Sequence, residues 1–360
     1  MSELLPVLAP PATKPVASVA HVTQAWYVAC TSRELRKAPL SKTILGIPMV
    51  LYRTTTGAVG ALLDRCPHRN VPLSMGCVQG EHIQCPYHGW QMDTGGVCRK
   101  IPGLASDPEG KARRTPAYPV IEQDGFVWVW ADSESEPKTE PFKLPDFKRD
   151  GYSVVRRRVT FPGTLHATME NALDVPHTAF LHAGLFRGAG EPNDIDVVVR
   201  RYPDHVEAEY LGEPRPEGLA ARILSPSGGT VTHFDRFFLP SVAQVDYRIG
   251  DENHFLVTAL GTPVSDFETV VYAVVAFKMR IPGWLLKPIV YPIAMKVFKQ
   301  DAVILEAQTK AIERFGGEQF ASSDIDILGG PIWRLLKAAE RGQLDEAGTD
   351  PVERRLTIRV

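Results

Sequence analysis

Four residues carry the first chemical signal: Cys66 and His68 in Cys-Pro-His and, after sixteen intervening residues, Cys85 and His88 in Cys-Pro-Tyr-His. Each pair opens with a thiol and closes with an imidazole. Two thiolates and two imidazoles in mixed pairs suit a [2Fe–2S] cluster in which sulfur holds one iron and nitrogen the other. Replacing two anionic thiolates by neutral imidazoles lowers the negative charge of the cluster and raises its reduction potential above that of an all-cysteine ferredoxin. The chemistry this implies is the acceptance and transfer of single electrons.

The same four donors would also satisfy tetrahedral zinc. Zinc fingers, however, group their cysteines together and their histidines together, whereas each pair here mixes the two. Pro67 and Pro86 after the cysteines, with Gly76, Gly80 and Gly89 close by, describe two rigid loops. The pattern therefore reads as a Rieske-type cluster site.

A second constellation follows at Glu170-Asn171-Ala-Leu-Asp174-Val-Pro-His177-Thr-Ala-Phe-Leu-His182. Non-haem Fe(II) that activates dioxygen takes two histidines and one carboxylate on one face, leaving the opposite positions open. His177 and His182 supply the nitrogens. Asp174, three residues before His177, is better placed to orient an imidazole than to bind iron. The carboxylate ligand is then expected at Asp301. Val297, Phe298, Ile304, Leu305, Gln308 and Ile312 share its helical face, and a carboxylate within an apolar stripe is costly unless paired or bound to a cation. Glu306 falls off that stripe and is expected in solvent.

His82, His166, His205, His233 and His254 fit neither spacing and are expected to be structural or solvent-facing, with His233 and Phe234 as candidate cavity residues. Cys77 and Cys98, which flank the cluster loops, are expected as buried small side chains.

These side chains need two kinds of scaffold. Ala25–Cys30, Thr43–Tyr52, Val59–Asp64, His82–Gln84 and Phe126–Trp130 read as short strands bounded by turn residues, a small all-β domain with the cluster loops at one end. Residues 131–151, rich in proline and charge, read as a crossover. Beyond them Tyr152–Phe161, Asp194–Arg201, Val206–Leu211, Thr230–Leu239, Ala243–Ile249, His254–Leu260 and Thr269–Met279 read as longer strands. A helix is expected over 163–174, a long one over 285–314 and a short one within 324–341. Apolar alternation such as Val-Thr-His-Phe-Asp-Arg-Phe implies an antiparallel sheet with one buried face. A curved sheet packed on a long helix makes an α+β domain with room for a ligand between the layers. The expected organisation is a lead-in over 1–20, a cluster domain over 21–136, a catalytic domain over 137–345 and a tail over 346–360.

The 360-residue length allows two domains, and a net charge of −2 argues against nucleic acid as a general partner. Five cysteines do not read as a secreted disulfide framework, so a cytoplasmic location is expected. No apolar run reaches the length of a spanning helix. The lipophilic segment 284–298 reads as a helix buried beside a greasy pocket, with peripheral membrane contact as the alternative. Together with Phe237, Phe238 and Leu239 it favours a large hydrophobic ring system, a sterol or steroid. Hydroxylation or demethylation of a smaller aromatic compound is the alternative. A pure electron carrier would leave the second histidine pair idle, and a lipid-binding module would need no cluster. No Gly-rich dinucleotide fingerprint follows a strand, so NAD(P)H and flavin belong to a partner, and Arg69, Arg99, Lys100, Arg113 and Arg114 form a candidate docking patch for an acidic ferredoxin.

The segments LLDRCPHRNVPLSMG, GEHIQCPYHGW and GGVCRKIPG, followed by ENALDVPHTAFLH and QDAVILEAQ, resemble the Rieske-type non-haem iron oxygenases. The resemblance implies a monooxygenase with a Rieske domain joined to a helix-grip (START-like) catalytic domain, using a [2Fe–2S] cluster, a mononuclear Fe(II) and O2 as co-substrate. It implies electrons from an NAD(P)H-dependent reductase or ferredoxin, and a head-to-tail homotrimer in which His88 of one subunit hydrogen-bonds to Asp174 of the next. Asp174 would touch His177, Asn171 would lie near the iron as a second candidate catalytic residue, and Asp301 would be the carboxylate ligand.

Overall fold

A computed structural model of the chain describes residues 17–183, 193–213, 231–250, 253–279, 282–344 and 351–359. The lead-in expected over 1–20 lies outside the described residues up to residue 16. The chain divides into two compact units, one of His21–Leu144 with Thr262–Ser265 and the other of Pro145–Gly261 with Asp266–Val360.

The first unit is all-β, in three small sheets. Strands β1 (Trp26–Thr31), β9 (Val120–Gln123) and β10 (Phe126–Trp130) form one, and β2 (Leu40–Ile44), β3 (Ile47–Arg53) and β4 (Val59–Leu63) the second. The strand expected over Thr43–Tyr52 is instead a hairpin. Leu45 and Gly46 adopt positive φ, 52° and 76°, and turn the chain between β2 and β3. The third sheet, β5 (Cys77–Gln79), β6 (His82–Gln84), β7 (Gln91–Met92) and β8 (Cys98–Lys100), carries the cluster loops. Of these, His82–Gln84 is the strand expected, whereas β5, β7 and β8, of two or three residues, show too little alternation to be read from sequence. Val50, Tyr52, Leu62, Leu73, Ile83 and Met92 are buried around Cys66 and Cys85. Cys98 is buried as expected, whereas Cys77 is exposed at the start of β5.

The second unit is built on one antiparallel sheet of eight strands. It comprises β11 (Ser153–Phe161), β12 (Asp194–Arg201), β13 (His205–Leu211), β14 (Val231–Phe238), β15 (Val242–Ile249), β16 (Asn253–Ser265), β17 (Glu268–Lys278) and β18 (Val352–Arg359), in the order β11-β17-β16-β15-β14-β13-β12-β18. The expected tail is thus an edge strand: Val352–Arg359 pairs along all of β12, with Ile358 buried. Its exposed charges concealed it, because an edge strand needs only one buried side chain in several.

Among the described residues this unit has three helices, α1 (Leu165–Ala172), α2 (Gly283–Phe315) and α3 (Gly329–Glu340). Thr164 caps α1 by accepting from the Ala167 N–H at 3.0 Å, and Gly316, at φ 72°, ends α2. Leu286 of α2 packs with Val155, Val275 and Phe277 of the sheet. The fold is the α+β arrangement expected, an all-β domain and a sheet with a long carboxy-terminal helix.

Candidate functional site

The two cluster loops share one backbone plan. The Cys66 N–H donates to the Val71 carbonyl at 2.9 Å and the Cys85 N–H to the Trp90 carbonyl at 2.8 Å, each five residues on. Four residues after each cysteine, Asn70 and Gly89 donate back to the Cys66 and Cys85 carbonyls. Both adopt the left-handed conformation, at φ 60° and 71°, which glycine and asparagine tolerate best. At Gly89 a side chain would also meet Pro102, since its Cβ would lie 2.9 Å from the proline Cγ.

The loops bring the four donors together. Cys66 and Cys85 are buried, and the rings of His68 and His88 lie 4.5 Å apart. The chemistry of the set fits the cluster. His68 Nδ1 is buried without a hydrogen-bond partner, which is costly for a free imidazole and appropriate for a metal ligand. Burial pushes the Cys66 thiol up to about 11, so taking up metal releases its proton. Trp90, which sequence reasoning passed over, stacks on His68 with centroids 4.7 Å apart and planes 3° from parallel. His88 and Tyr87 are exposed and in ring contact.

The docking patch is partly committed to its own unit. Arg99 pairs with Asp93 at 2.6 Å and with Glu109, and Arg113 donates to the carbonyls of Asp107 and Pro108.

In the second unit the end of α1, the 3₁₀ turn Pro176–Ala179 and the middle of α2 converge. His177 Nε2, His182 Nε2 and Asp301 Oδ1 lie within 4.8 Å of one another. Asp301 Oδ1 is 3.1 Å from His182 Nε2 and 3.7 Å from His177 Nε2, and the two Nε2 atoms are 3.2 Å apart. Asp301 is 7% exposed and its Oδ1 has no hydrogen bond. An orphaned buried carboxylate oxygen facing two imidazole nitrogens fits a divalent cation. On its helix Leu305 and Ile312 are buried, as the apolar stripe required, and Thr309 is buried with them. Ile304 departs from it at 47% exposure. Glu306 lies off the stripe and pairs with Lys310.

Asp174 Oδ2 stands 3.3 Å from His177 Nδ1. Burial disfavours the His177 imidazolium, yet the Asp174 and Asp301 carboxylates outweigh it and raise its pKa to about 9. Gln300, missed from the sequence, accepts from His182 Nδ1 at 3.1 Å and donates to the Leu181 carbonyl at 2.8 Å. A cleft of about 610 Å³ opens beside the site; Asn171, Asp174, Val175, His177, Ile304 and Gln308 are among its lining residues.

The residues that pointed to a sterol are not on this cleft. Trp284, Leu285, Ile289 and Ile293 are 39–73% exposed, and Leu286 alone of 284–298 is buried. Phe237 is buried within the sheet. The expected buried helix beside a greasy pocket is therefore a surface-exposed first half of α2 with one inward anchor. Among the described residues no helix is long and apolar enough to cross a membrane.

His233, on β14, is more than structural filling. It is buried, with Nδ1 2.7 Å from Glu213 and Nε2 3.1 Å from Asp235, and Tyr210 stacks on it at 4.5 Å. His254 joins Asp246 at 2.7 Å, and His166 contacts the Gly329 carbonyl at 2.8 Å.

Comparison with known proteins agrees with both centres. Residues 25–119 match the Rieske [2Fe-2S] domain family and residues 163–341 the vanillate O-demethylase oxygenase C-terminal domain family. The oxygenase component of dicamba O-demethylase from Stenotrophomonas maltophilia is 39% identical over 168 residues, 45% of this chain and 48% of that protein. The match thus spans about half of that relative. Methylxanthine N1-demethylase from Pseudomonas putida is 32% identical over 56% of this chain and 58% of that protein. Dicamba monooxygenase with non-haem iron and dicamba superimposes with a TM-score of 0.70 at 25% identity, covering 90% of this chain and 99% of that one.

Proposed function

Since the chain belongs to the Rieske-type non-haem iron oxygenases, we propose that it oxidises a small aromatic compound, by O- or N-demethylation or by ring hydroxylation. The observation that carries this is the joint presence of two donor sets, Cys66/His68/Cys85/His88 and His177/His182/Asp301, on one chain. A sterol is not retained as the substrate, because the 284–298 segment that motivated it is exposed and does not line the iron site's cleft. Relatives named for a dicamba O-demethylase and a methylxanthine N1-demethylase favour a compact aromatic ring.

When bound, the cluster supplies single electrons and the mononuclear Fe(II) supplies dioxygen activation, so that one oxygen atom enters the substrate and the other leaves as water. Cys66 and Cys85 would hold the cluster as thiolates, and His68 and His88 as neutral imidazoles. His177 and His182 present Nε2 to the mononuclear site, and Asp301 presents Oδ1. Asp174 holds the His177 ring through Nδ1, and Asn171 lines the approach to it.

Electrons come from an NAD(P)H-dependent reductase, directly or through a ferredoxin. We place the chain in a head-to-tail homotrimer in which the exposed His88 of one subunit meets Asp174 of the next. The 34% exposed Asp174 side chain at the open cleft supports this arrangement.

The test supplies purified chain with a generic ferredoxin reductase, ferredoxin and NADH, and follows oxygen uptake and formaldehyde over a panel of methoxyarenes, N-methyl heteroarenes and sterols. Substrate-dependent oxygen uptake with the aromatic compounds is expected. Uptake with sterols alone would overturn the substrate class, and uptake with none would overturn the oxygenase reading.

A further inference from the structure

The two imidazoles of the mononuclear site are oriented by different groups. His177 has the Asp174 carboxylate at Nδ1. His182 has the neutral amide of Gln300, the residue immediately before Asp301 on α2. The orientation of that amide follows from its second contact. A backbone carbonyl can only accept a hydrogen bond, so the Gln300 atom 2.8 Å from the Leu181 carbonyl is the NH2 group. Its oxygen therefore faces His182 Nδ1 at 3.1 Å. An amide oxygen also only accepts, so Nδ1 carries a proton; in the neutral ring Nε2 then presents a lone pair 3.1 Å from Asp301 Oδ1, an approach of two acceptors that a cation between them would relieve.

A second contact is compatible with the same assignment. His177 Nε2 and His182 Nε2 lie 3.2 Å apart, a distance at which two N–H groups would repel, so one nitrogen must be unprotonated. Gln300 identifies it as that of His182. Its two hydrogen bonds also join α2, which carries Asp301, to the Leu181–His182 segment. Two of the three metal donors are thereby held to each other by a side chain that touches no metal.

We propose that Gln300 is a positioning residue which fixes His182 as the Nδ1–H tautomer with Nε2 directed at Asp301 Oδ1, and so sets the affinity of the mononuclear metal site. This rests on the iron reading above. Orienting groups of this kind change metal affinity about 10–100-fold when removed.

The experiment uses the full chain with its cluster intact. The mononuclear site is emptied by mild chelation, and anaerobic Fe(II) binding is measured for the native protein, Gln300→Leu and Gln300→Glu. The leucine keeps the bulk and removes both hydrogen bonds. The glutamate keeps an acceptor for Nδ1–H but cannot donate to Leu181 as a carboxylate. Gln300→Leu is expected to bind Fe(II) about 10–100-fold more weakly, and Gln300→Glu to stay closer to the native affinity than Gln300→Leu. A Gln300→Leu affinity within twofold of native would overturn the proposal. So would a Gln300→Glu loss as large as that of leucine, because Gln300 would then serve only as a tether to Leu181.

If Gln300→Leu does not fold, judged by cluster absorbance and thermal unfolding, nitrogen-15 spectra of histidine-labelled native protein decide the question. His182 must show a protonated Nδ1 and a bare Nε2; the opposite tautomer refutes the assignment. Failure of the native chain itself to bind Fe(II) would overturn the iron site and this proposal together, which separates the two failures.

Discussion

Replacing Asp301 by alanine isolates the mononuclear centre from the cluster. Asp301 Oδ1 is the single described carboxylate oxygen grouped with both Nε2 atoms, at 3.1 and 3.7 Å. Deleting a group that merely orients a ligand weakens metal binding about 10–100-fold, and deleting a ligand exceeds that. The loss should therefore be at least about 100-fold, or about 2.8 kcal/mol. The fold has reason to survive. Stranding the partner of a buried ion pair costs about 3–5 kcal/mol, but His177 keeps Asp174 at 3.3 Å, so no charge is left alone and the cost falls below that range. Elemental analysis should find the cluster's two irons in the variant and three in the native chain, with unchanged cluster absorbance. Three irons retained in Asp301→Ala would refute the ligand assignment. Loss of cluster colour together with the mononuclear iron would refute the view that the two centres are held independently.

Asp174→Asn should keep both metals, with mononuclear iron bound up to about 100-fold more weakly, and turnover at saturating iron should still fall severalfold; unchanged turnover there would remove Asp174 from the electron route. Gly89→Val puts a branched side chain at φ 71° and against Pro102, where the left-handed conformation alone costs about 1–2 kcal/mol, so cluster occupancy measured by visible absorbance should drop while the far-ultraviolet spectrum holds. Stability should also fall at alkaline pH. Burial disfavours the charged form of His233, but Asp235 and Glu213 outweigh it and raise its pKa from 6.5 to about 10. A group raised on folding stabilises fully below its unfolded value and loses that contribution as pH climbs through the folded one. The urea midpoint should therefore be lower at pH 10 than at pH 7 and recover part of the difference in His233→Gln; equal midpoints in the native chain would contradict it.

The cluster was legible because its ligands are local: two short loops contain all four donors, and proline and glycine mark where the chain turns. The same locality exposed His177 and His182. Asp301 lies far along the chain and was readable only through the apolar stripe around it, which holds at Leu305 and Ile312 and fails at Ile304. That failure has a physical cause, since Ile304 lines the cleft rather than the core. The 284–298 segment misled for the complementary reason. Its apolar residues lie around the helix rather than on one face, so composition pointed inward while Trp284 and Ile289 stand exposed. The cluster strands β5, β7 and β8, each shorter than four residues, and the charged edge strand β18 carry no periodic signal, and only pairing reveals them.

Gln300 and the Glu213–His233–Asp235 group show what sequence pattern omits altogether. His233 and Asp235 sit two apart on β14, so alternation placed them on one face, yet nothing local reveals that this face is buried or that Glu213 closes it from the end of β13. Gln300 has no sequence signature beyond being next to Asp301. Its role depends on a backbone carbonyl brought close by the fold, because the Leu181 oxygen decides which way the amide turns and hence which nitrogen of His182 is bare. The ligand set is thus written in residue types, whereas the proton arrangement that makes it a metal site arises only once α2 has packed against the 177–182 segment. Metal affinity in this chain should accordingly be sensitive to changes at Leu181 backbone contacts and at Gln300 that leave every ligand in place.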